Sequence, residues 1–153
     1  MDIGTVKADG KGITKEDVVA EARTWLETRW QHQARLKGVA ADCGGMILGV
    51  LWSLGYTDFD WTRYGRIPDG LQLRRICETV LEEIPLSDAR EGDVFLMRFS
   101  EHPQHVGIFG RSPDGALTLI HSYATARKVV EQRLDEDWRQ KLVAAYRLRG
   151  MES

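Results

Sequence analysis

The sequence contains no asparagine, only two cysteines and no long apolar run, and each shortage excludes a class of protein. Two cysteines in 153 residues are too few for the disulfide framework of a small secreted scaffold, so free thiols in a reduced compartment fit better. No segment approaches the ~20 consecutive apolar residues of a membrane span. The formal charge of −2 argues against an electrostatic nucleic-acid or membrane binder.

A signal peptide and several common motifs are missing too. Residues 1–12 hold scattered charges and no apolar core, so we expect a protein made in the cytoplasm without a secretory signal. The sequence has no G-x-x-x-x-G-K-[ST] loop for phosphates, no H-E-x-x-H zinc motif, no C-x-x-C pair and no G-x-S-x-G elbow. The remaining candidates for chemistry are cysteine and histidine.

Helical periodicity dominates the first half of the chain. Residues 1–13 are expected to form a loose tail or an edge strand, and residues 30–42 a loop. The predicted helices cover about 15–29, Met46 to Trp52 with Gly55 as the stop, and Leu71 to Leu81 between a capping Asp69 and a terminating Pro85.

Strand periodicity dominates the second half. The predicted strands are Val94–Met97, His105–Phe109, Ala116–Tyr123, Val129–Val130 and Val143–Leu148, with a hairpin turn at 112–115 and a short helical turn within 135–141. Helices followed by strands predict an α+β fold, and we expect a single domain over residues 14–150 after the tail.

The two cysteines have different surroundings. Cys43 lies in Asp42-Cys43-Gly44-Gly45, where a loop meets the most apolar helix, and a helix N-terminus favours the nucleophilic thiolate. Two glycines in a helix cost about 0.8–1.0 kcal/mol each relative to Ala, which indicates close approach of a sheet or of a substrate. The competing interpretation is a small buried residue at a helix start. Cys77 lies in an apolar helical stripe and is expected to pack in the core.

Two of the four histidines are placed to act with Cys43. His105 opens a predicted strand in which Gly107, on the same face, leaves room for another group. His121 lies on the neighbouring strand of the hairpin, so the two rings can come side by side. Histidine suits general base catalysis at neutral pH.

A Cys–His pair generally needs a third group that orients the imidazole. Since the chain has no asparagine, His121 is the best-placed orienter and Gln104 a weaker one. His102 is expected in a loop facing solvent. His32 is expected at the surface, although it lies in the loop ahead of Cys43.

Together these segments resemble the NlpC family of papain-like cell-wall cysteine peptidases, over about residues 14–148. The matching segments are Trp25-Leu26-x-x-x-Trp30, Asp42-Cys43-Gly44-Gly45, Gly92-Asp93-Val94, His105-Val106-Gly107-Ile108 and Ile120-His121-Ser122. The resemblance implies a papain-like fold in which N-terminal helices pack on an antiparallel sheet of about five to six strands. Residues 29–38 and 143–148 look most like the compact branch encoded by phages, prophages and gene transfer agents.

The resemblance also implies an activity and its residues. Cys43 would be the nucleophile, His105 the general base and His121 the orienter in hydrolysis of peptidoglycan stem peptides, typically at the D-glutamyl to diamino-acid bond, with no metal or other cofactor. Trp30 stands where the family has a tyrosine, and Gly44 where it has Ser or Ala. Trp30, Asp42 and Gly44 are candidate oxyanion or substrate contacts.

The same resemblance implies partners and a location. The expected partners are peptidoglycan and phage tail proteins, with no nucleic acid and no membrane insertion. The expected route is delivery to the cell wall as a tail component.

Three alternatives remain at this point. One is a structural or assembly module with a weak or vestigial site, for which Trp30 is the best support. Another is an amidase or acyltransferase that uses the same triad. The third is a metal site formed by Cys43, His105 and His121, with His102 as a further ligand.

Overall fold

In the computed structural model, helices from the first half of the chain cover one face of an antiparallel sheet formed by the second half. The structure describes residues 6–60, 71–99 and 102–151. The helices are α1 (Lys15–Arg23), α2 (Cys43–Ser53), α3 (Leu71–Val80) and α4 (Glu136–Arg139), with a 3-10 turn at Leu86–Asp88. The strands are β1 (Arg35–Leu36), β2 (Ala40–Ala41), β3 (Leu81–Ile84), β4 (Val94–Phe99), β5 (His102–Arg111), β6 (Leu117–Tyr123), β7 (Lys128–Arg133) and β8 (Leu142–Leu148).

Within the described ranges, six strands form one antiparallel sheet in the order β3-β8-β4-β5-β6-β7, and β1 and β2 form a small hairpin. This arrangement confirms the predicted α+β class and the upper end of the predicted strand number. The β5–β6 connection turns at residues 112–115, as predicted. Gly115 has a φ of +91° there, in the left-handed region that glycine tolerates best.

An apolar core lies on each face of the sheet. Because successive side chains of a strand alternate in direction, Leu96 and Ile108 face the helices while Phe95 and Phe109 face the other side. Helix α2 is buried along most of its length. Trp25 packs directly over its Gly49, where a Cβ atom would lie only 2.2 Å from the indole ring.

The predicted first helix is too long. Helix α1 ends at Arg23, with Thr24 as its C-cap, and not near residue 29. Glu27 adopts a left-handed φ of +73°, and its N–H donates to the Val129 carbonyl at 3.0 Å. The backbone therefore leaves the helix to bond with β7, which local periodicity does not reveal.

Two further boundaries differ from the sequence prediction. The segment 30–42, expected to be a loop, contains the β1–β2 hairpin. The third helix ends at Val80, well before Pro85, because residues 81–84 pair with β8 as a strand. The predicted stop of α2 at Gly55 is confirmed by a φ of +73°, and the predicted turn within 135–141 is α4. The suggested cap Asp69 lies outside the described residues.

Residues 6–13, part of the expected tail, lie against the ends of α2 and β8. The Asp9 N–H donates to the Tyr56 carbonyl at 3.0 Å, and the Gly10 N–H donates to the Arg149 carbonyl at 2.7 Å. Ile13 is buried in the core. Among the helices of the described ranges, none combines the length and apolarity that crossing a membrane requires.

Candidate active site

Cys43 is the first residue of α2, and Asp42 caps that helix. The Asp42 backbone is extended, and its Oδ1 accepts a hydrogen bond from the Gly45 N–H at 2.8 Å, one of the donors that a helix start leaves unpaired. A Cβ on Gly45 would lie 2.1 Å from the carbonyl oxygen of Ala34. The close approach that requires Gly45 therefore comes from the preceding loop and not from the sheet.

Asp42 also fixes that loop against the helix. Its Oδ2 accepts a hydrogen bond from the Gln33 N–H at 2.6 Å, and its own N–H donates to the Ala34 carbonyl at 3.0 Å. The Nδ1 of His32 lies 4.0 Å from the same Oδ2. His32 is partly buried beside the helix cap, which is less exposed than the surface position that the sequence predicts.

The segment before Cys43 is tied to the sheet by backbone groups. The Ser122 hydroxyl on β6 donates to the Ala41 carbonyl at 2.6 Å. The Ala41 N–H donates to the Arg29 carbonyl at 2.8 Å, and the Trp30 N–H donates to the Arg127 carbonyl at 2.9 Å. These bonds hold the start of α2 at the end of the β5–β6 hairpin.

Cys43 lies near the place where the described pairing of β5 with β6 ends. The β5–β6 pairing that the structure describes stops at Ile108 and Ile120. Beyond that point the backbone of Val106 interacts with the Cys43 thiol. His105 precedes Val106 on β5, so its backbone adjoins the residue that interacts with the thiol. Among the described residues, no hydrogen bond joins that thiol to either strand histidine, as is common before substrate binds.

The Cys43 thiol is not poised as a thiolate. Burial raises its pKa to about 12, and the Asp42 carboxylate acts in the same direction. Backbone groups of Val106, Gly44 and Cys43 itself oppose this rise and lower the pKa. The helix start thus favours the thiolate as expected, but burial and the capping carboxylate outweigh it, so the resting thiol is neutral.

His105 and His121 are joined directly. The Nε2 of His105 lies 2.5 Å from the Nδ1 of His121, and the Nε2 of His121 lies 2.9 Å from the Oε1 of Gln132 on β7. The predicted side-by-side histidines are therefore present. Three polar side chains from β5, β6 and β7 form one hydrogen-bonded row.

Aromatic rings enclose both histidines. His121 stacks on Tyr123 with ring centroids 5.2 Å apart and meets the edge of Trp138 at 5.6 Å, while His105 stacks on Phe99 at 5.1 Å. Burial lowers the pKa of His121 to about 4, against a raising effect of Gln132. Burial, with His121 as a second cause, lowers the pKa of His105 well below its usual value. Both rings are neutral at pH 7.

Gly107 makes room for this arrangement, as predicted. A Cβ at this position would lie 2.3 Å from the Phe95 ring and 2.8 Å from the Cβ of His121. The group that occupies the space is therefore Phe95, which packs against the two histidines. Its ring centroid lies 6.2 Å from that of His105 and 6.0 Å from that of His121.

The other candidate residues are scattered. Cys77 is buried among apolar side chains, as expected. His102 begins β5, so its expected place in a loop was wrong, and its side chain and that of Gln104 lie outside the described residues. Trp30 is partly buried and Gly44 buried. Among the side chains that are described, no three His, Cys, Asp or Glu groups converge as metal ligands.

A cleft adjoins the His105 side of this row. It has a volume of about 690 Å³ and is lined by Arg98, Phe99, Gln140, Lys141, Leu142 and Val143. Phe99 therefore serves both as a cleft wall and as the stacking partner of His105. Arg98 and Lys141 give the cleft a positive character.

Sequence reasoning missed Gln132. The predicted strand comprised only residues 129 and 130, which left Gln132 outside it. In the structure β7 continues to Arg133, and Gln132 lies between Val130 and Leu134 on the face that carries His121. A lone amide on an otherwise apolar strand face was the available signal.

Comparisons with known proteins point to one family. The family model of the NlpC/P60 family matches residues 27–147, which is more than half of the chain. No match was found among curated proteins.

Solved structures share the fold at low sequence identity. A lipoprotein-like protein of the NLP/P60 family from Staphylococcus aureus is 16% identical with a TM-score of 0.63, covering 100% of this chain and 46% of that one. The NlpC/p60 domain of the peptidoglycan hydrolase SagA is 21% identical with a TM-score of 0.62, covering 89% and 100%. An N-acetylmuramoyl-L-alanine amidase from Bacteroides uniformis is 11% identical with a TM-score of 0.57, covering 88% and 98%. The chain thus spans less than half of the Staphylococcus aureus protein.

Proposed function

The chain belongs to the NlpC/P60 family, and on that premise we propose that it is a cysteine peptidase that hydrolyses peptide bonds in peptidoglycan stem peptides. The observation that carries the proposal is the juxtaposition of the helix-start Cys43 with Val106, next to the hydrogen-bonded pair His105 and His121. This arrangement supports the roles of nucleophile for Cys43, general base for His105 and orienter for His121.

The first step begins from a neutral thiol and a neutral imidazole. The Nδ1 of His105 accepts the Cys43 proton as the sulfur attacks the substrate carbonyl carbon, which gives a tetrahedral oxyanion. The C–N bond then breaks, and His105 returns the proton to the departing amine. The product of this half-reaction is a thioester on Cys43 and a free amine.

Water completes the cycle. The Nδ1 of His105 removes a proton from a water molecule that attacks the thioester carbon. Collapse of the second tetrahedral intermediate breaks the C–S bond, and His105 returns its proton to the sulfur, which restores the Cys43 thiol. The carboxylic acid that is released loses its proton to solvent and leaves as a carboxylate. His121 keeps the His105 ring in position during both proton transfers.

The oxyanion is stabilised by donors at the helix start. The backbone N–H groups of Cys43 and Gly44 lie where α2 has no intrahelical acceptor for them. Their influence on the Cys43 pKa indicates that they act on the reacting sulfur region. The indole N–H of Trp30 is the further donor that the sequence offers in place of the family tyrosine.

The substrate that we propose is a stem peptide cleaved between D-glutamate and the diamino acid. Such a peptide carries carboxylates. The cleft beside His105 offers Arg98 and Lys141 as cations and Phe99 as an apolar wall, which supports this assignment.

Mass spectrometry of purified peptidoglycan after digestion tests the proposal. We expect fragments that begin with a free diamino acid and partner fragments that end in D-glutamate. Release of whole stem peptides that begin with L-alanine would show that the protein is an amidase and not a peptidase. Intact peptidoglycan after prolonged incubation with the folded protein would favour a structural or assembly role instead.

We also propose that the protein reaches the cell wall as a component of a phage tail. The support is the resemblance of residues 29–38 and 143–148 to the tail-associated branch of the family. Mass spectrometry of purified phage or transfer-agent particles from the producing cells is the test. We expect the protein to co-purify with tail proteins, and its confinement to the soluble cell fraction would contradict this route.

A further inference from the structure

Gln132 is the terminal member of the polar row that begins at His105. Strand β7 pairs with β6 so that Val130 lies directly opposite His121. Gln132 is two residues further on the same face and reaches diagonally to the His121 ring, a distance that long side chains span in antiparallel pairs. Its Oε1 lies 2.9 Å from the Nε2 of His121.

The amide oxygen of Gln132 sets the direction of hydrogen-bond donation along the whole row. A carbonyl oxygen only accepts hydrogen bonds, so the Nε2 of His121 carries the proton. In a neutral imidazole the other nitrogen is then an acceptor. The Nδ1 of His121 therefore accepts from the Nε2–H of His105, which leaves the Nδ1 of His105 unprotonated.

This outcome is the one that catalysis requires. A general base needs a free lone pair to accept the proton of the nucleophile, and in His105 the nitrogen left for this task is Nδ1, because Nε2 bonds to His121. With the opposite direction of donation, His105 would carry its proton on Nδ1 and would be unable to accept one from Cys43.

We propose that Gln132 is a positioning residue that fixes the tautomers of His121 and His105, so that His105 presents an unprotonated Nδ1 to Cys43. Its kinetic part rests on the proposed function, because it assigns Gln132 a role in the same reaction. Gln132 acts through His121 and does not itself touch the reacting atoms.

The surroundings of His121 support this assignment. Among the described residues, the side chains that hydrogen-bond to His121 are His105 and Gln132. The other groups against its ring are Tyr123 from its own strand, Trp138 from α4 and Phe95 from β4. None of these five side chains carries a charge at pH 7 that would favour one tautomer of His121. Of the five, only His105 and Tyr123 are titratable.

The tautomers are directly observable in the wild-type protein. Long-range ¹H–¹⁵N correlation spectra of uniformly ¹⁵N-labelled protein at pH 7 distinguish protonated from unprotonated ring nitrogens. We expect Nε2–H on both His105 and His121. A proton on Nδ1 of His105 overturns the proposal, and this measurement depends on neither substrate nor activity.

Three variants test the kinetic part with a muropeptide substrate. Gln132→Met keeps the size of the side chain but removes the acceptor, and we expect a fall in kcat of about tenfold with little change in KM, the factor that one lost hydrogen bond supplies. Arg133→Met is the matched control, because it places the same residue one position further along, on the opposite face of β7, and we expect wild-type kcat. Equal kcat values for these two variants overturn the proposal.

Gln132→Glu provides the rescue. A carboxylate accepts but does not donate, so it preserves the direction of the row while its charge stabilises protonated histidine. We expect kcat near that of the wild type at high pH, with the acid limb of the pH profile shifted upward. A kcat as low as that of Gln132→Met at every pH contradicts a tautomer-setting role. Absence of cleavage by the wild type is a failure of the proposed function, and the tautomer spectra then still decide the role of Gln132.

Discussion

The Nε2 of His105 lies 2.5 Å from the Nδ1 of His121, so one hydrogen bond joins two imidazoles on neighbouring strands. Neither ring has a carboxylate partner in this contact, and both lie among aromatic side chains. The pair is therefore neutral at pH 7, and the proposed reaction starts from a neutral thiol and a neutral base.

Alkylation of Cys43 should depend steeply on pH. Because burial and Asp42 raise its pKa to about 12, the thiolate fraction grows by about tenfold per pH unit through the neutral and mildly alkaline range. Labelling with iodoacetamide, followed by peptide mapping, should show this slope between pH 7 and 10. Cys77, which is 2% exposed, should stay unlabelled until the protein unfolds. A labelling rate of Cys43 that levels off below pH 9 would contradict a neutral resting thiol.

Acid should destabilise the fold before the carboxylates titrate. The unfolded chain binds a proton at His121 below pH ~6.5, whereas the folded pKa is about 4. Stability is therefore lost as pH falls through this window, by up to about 1.4 kcal/mol per pH unit for each such histidine. From pH 7 to pH 5 we expect a loss of roughly 2 kcal/mol from His121, and His105 adds to it in the same direction.

Urea unfolding at the two pH values measures this loss. The double variant His105→Phe, His121→Leu has no imidazole to protonate here and should lose the slope between pH 7 and 5. A similar slope in that variant and in the wild type would contradict the assignment.

Gly45→Ala should damage both stability and activity. Its Cβ would lie 2.1 Å from the Ala34 carbonyl oxygen, a backbone atom that cannot rotate away. We expect a loss of about 1–3 kcal/mol, together with a displaced helix start and slower muropeptide cleavage. Gly115→Ala is the matched control, because its strain comes from φ alone and its turn lies at the far end of the β5–β6 hairpin. It should lower stability while leaving kcat unchanged, and equal kcat in both variants would show that Gly45 does not position Cys43.

We expect Asp93 to stabilise the fold and to take no part in catalysis. It is fully buried, and both of its oxygens accept hydrogen bonds from the Arg147 guanidinium at 2.9 Å. Asp93→Ala removes the buried acceptor of the Arg147 guanidinium and of the Arg90 N–H, and should cost about 1–3 kcal/mol in the free energy of unfolding. Lys128→Ala, which breaks an exposed pair with Glu27, should change that free energy by ~0–1 kcal/mol. Comparable losses in the two variants would contradict a stabilising role for the buried Asp93 carboxylate.

Strands β5 and β6 and their two histidines were predictable because their signals are local. Alternating apolar residues define β5 and β6, and the turn at 112–115 aligns them. Once the strands are aligned, His105 and His121 fall on the same face. The start of α2 at Cys43 was likewise visible from Asp42 and the apolar run that follows.

The features that sequence did not predict depend on distant partners. Helix α1 stops early because Glu27 bonds to β7, about one hundred residues away in the chain. The raised pKa of Cys43 comes first from desolvation in the folded protein, which its neighbours in sequence do not reveal. Gln132 enters the site only through the diagonal register of β6 and β7.

Muropeptide cleavage by Cys43→Ala, compared with Cys77→Ala and the wild type, tests the central claim most directly. The account predicts that Cys43→Ala folds normally by circular dichroism and cleaves nothing, because the nucleophile is gone. It predicts that Cys77→Ala keeps the wild-type kcat and loses only about 1 kcal/mol of stability, as expected for a small buried side chain. Cleavage by Cys43→Ala at a rate near that of the wild type would contradict the assignment of this protein as a cysteine peptidase.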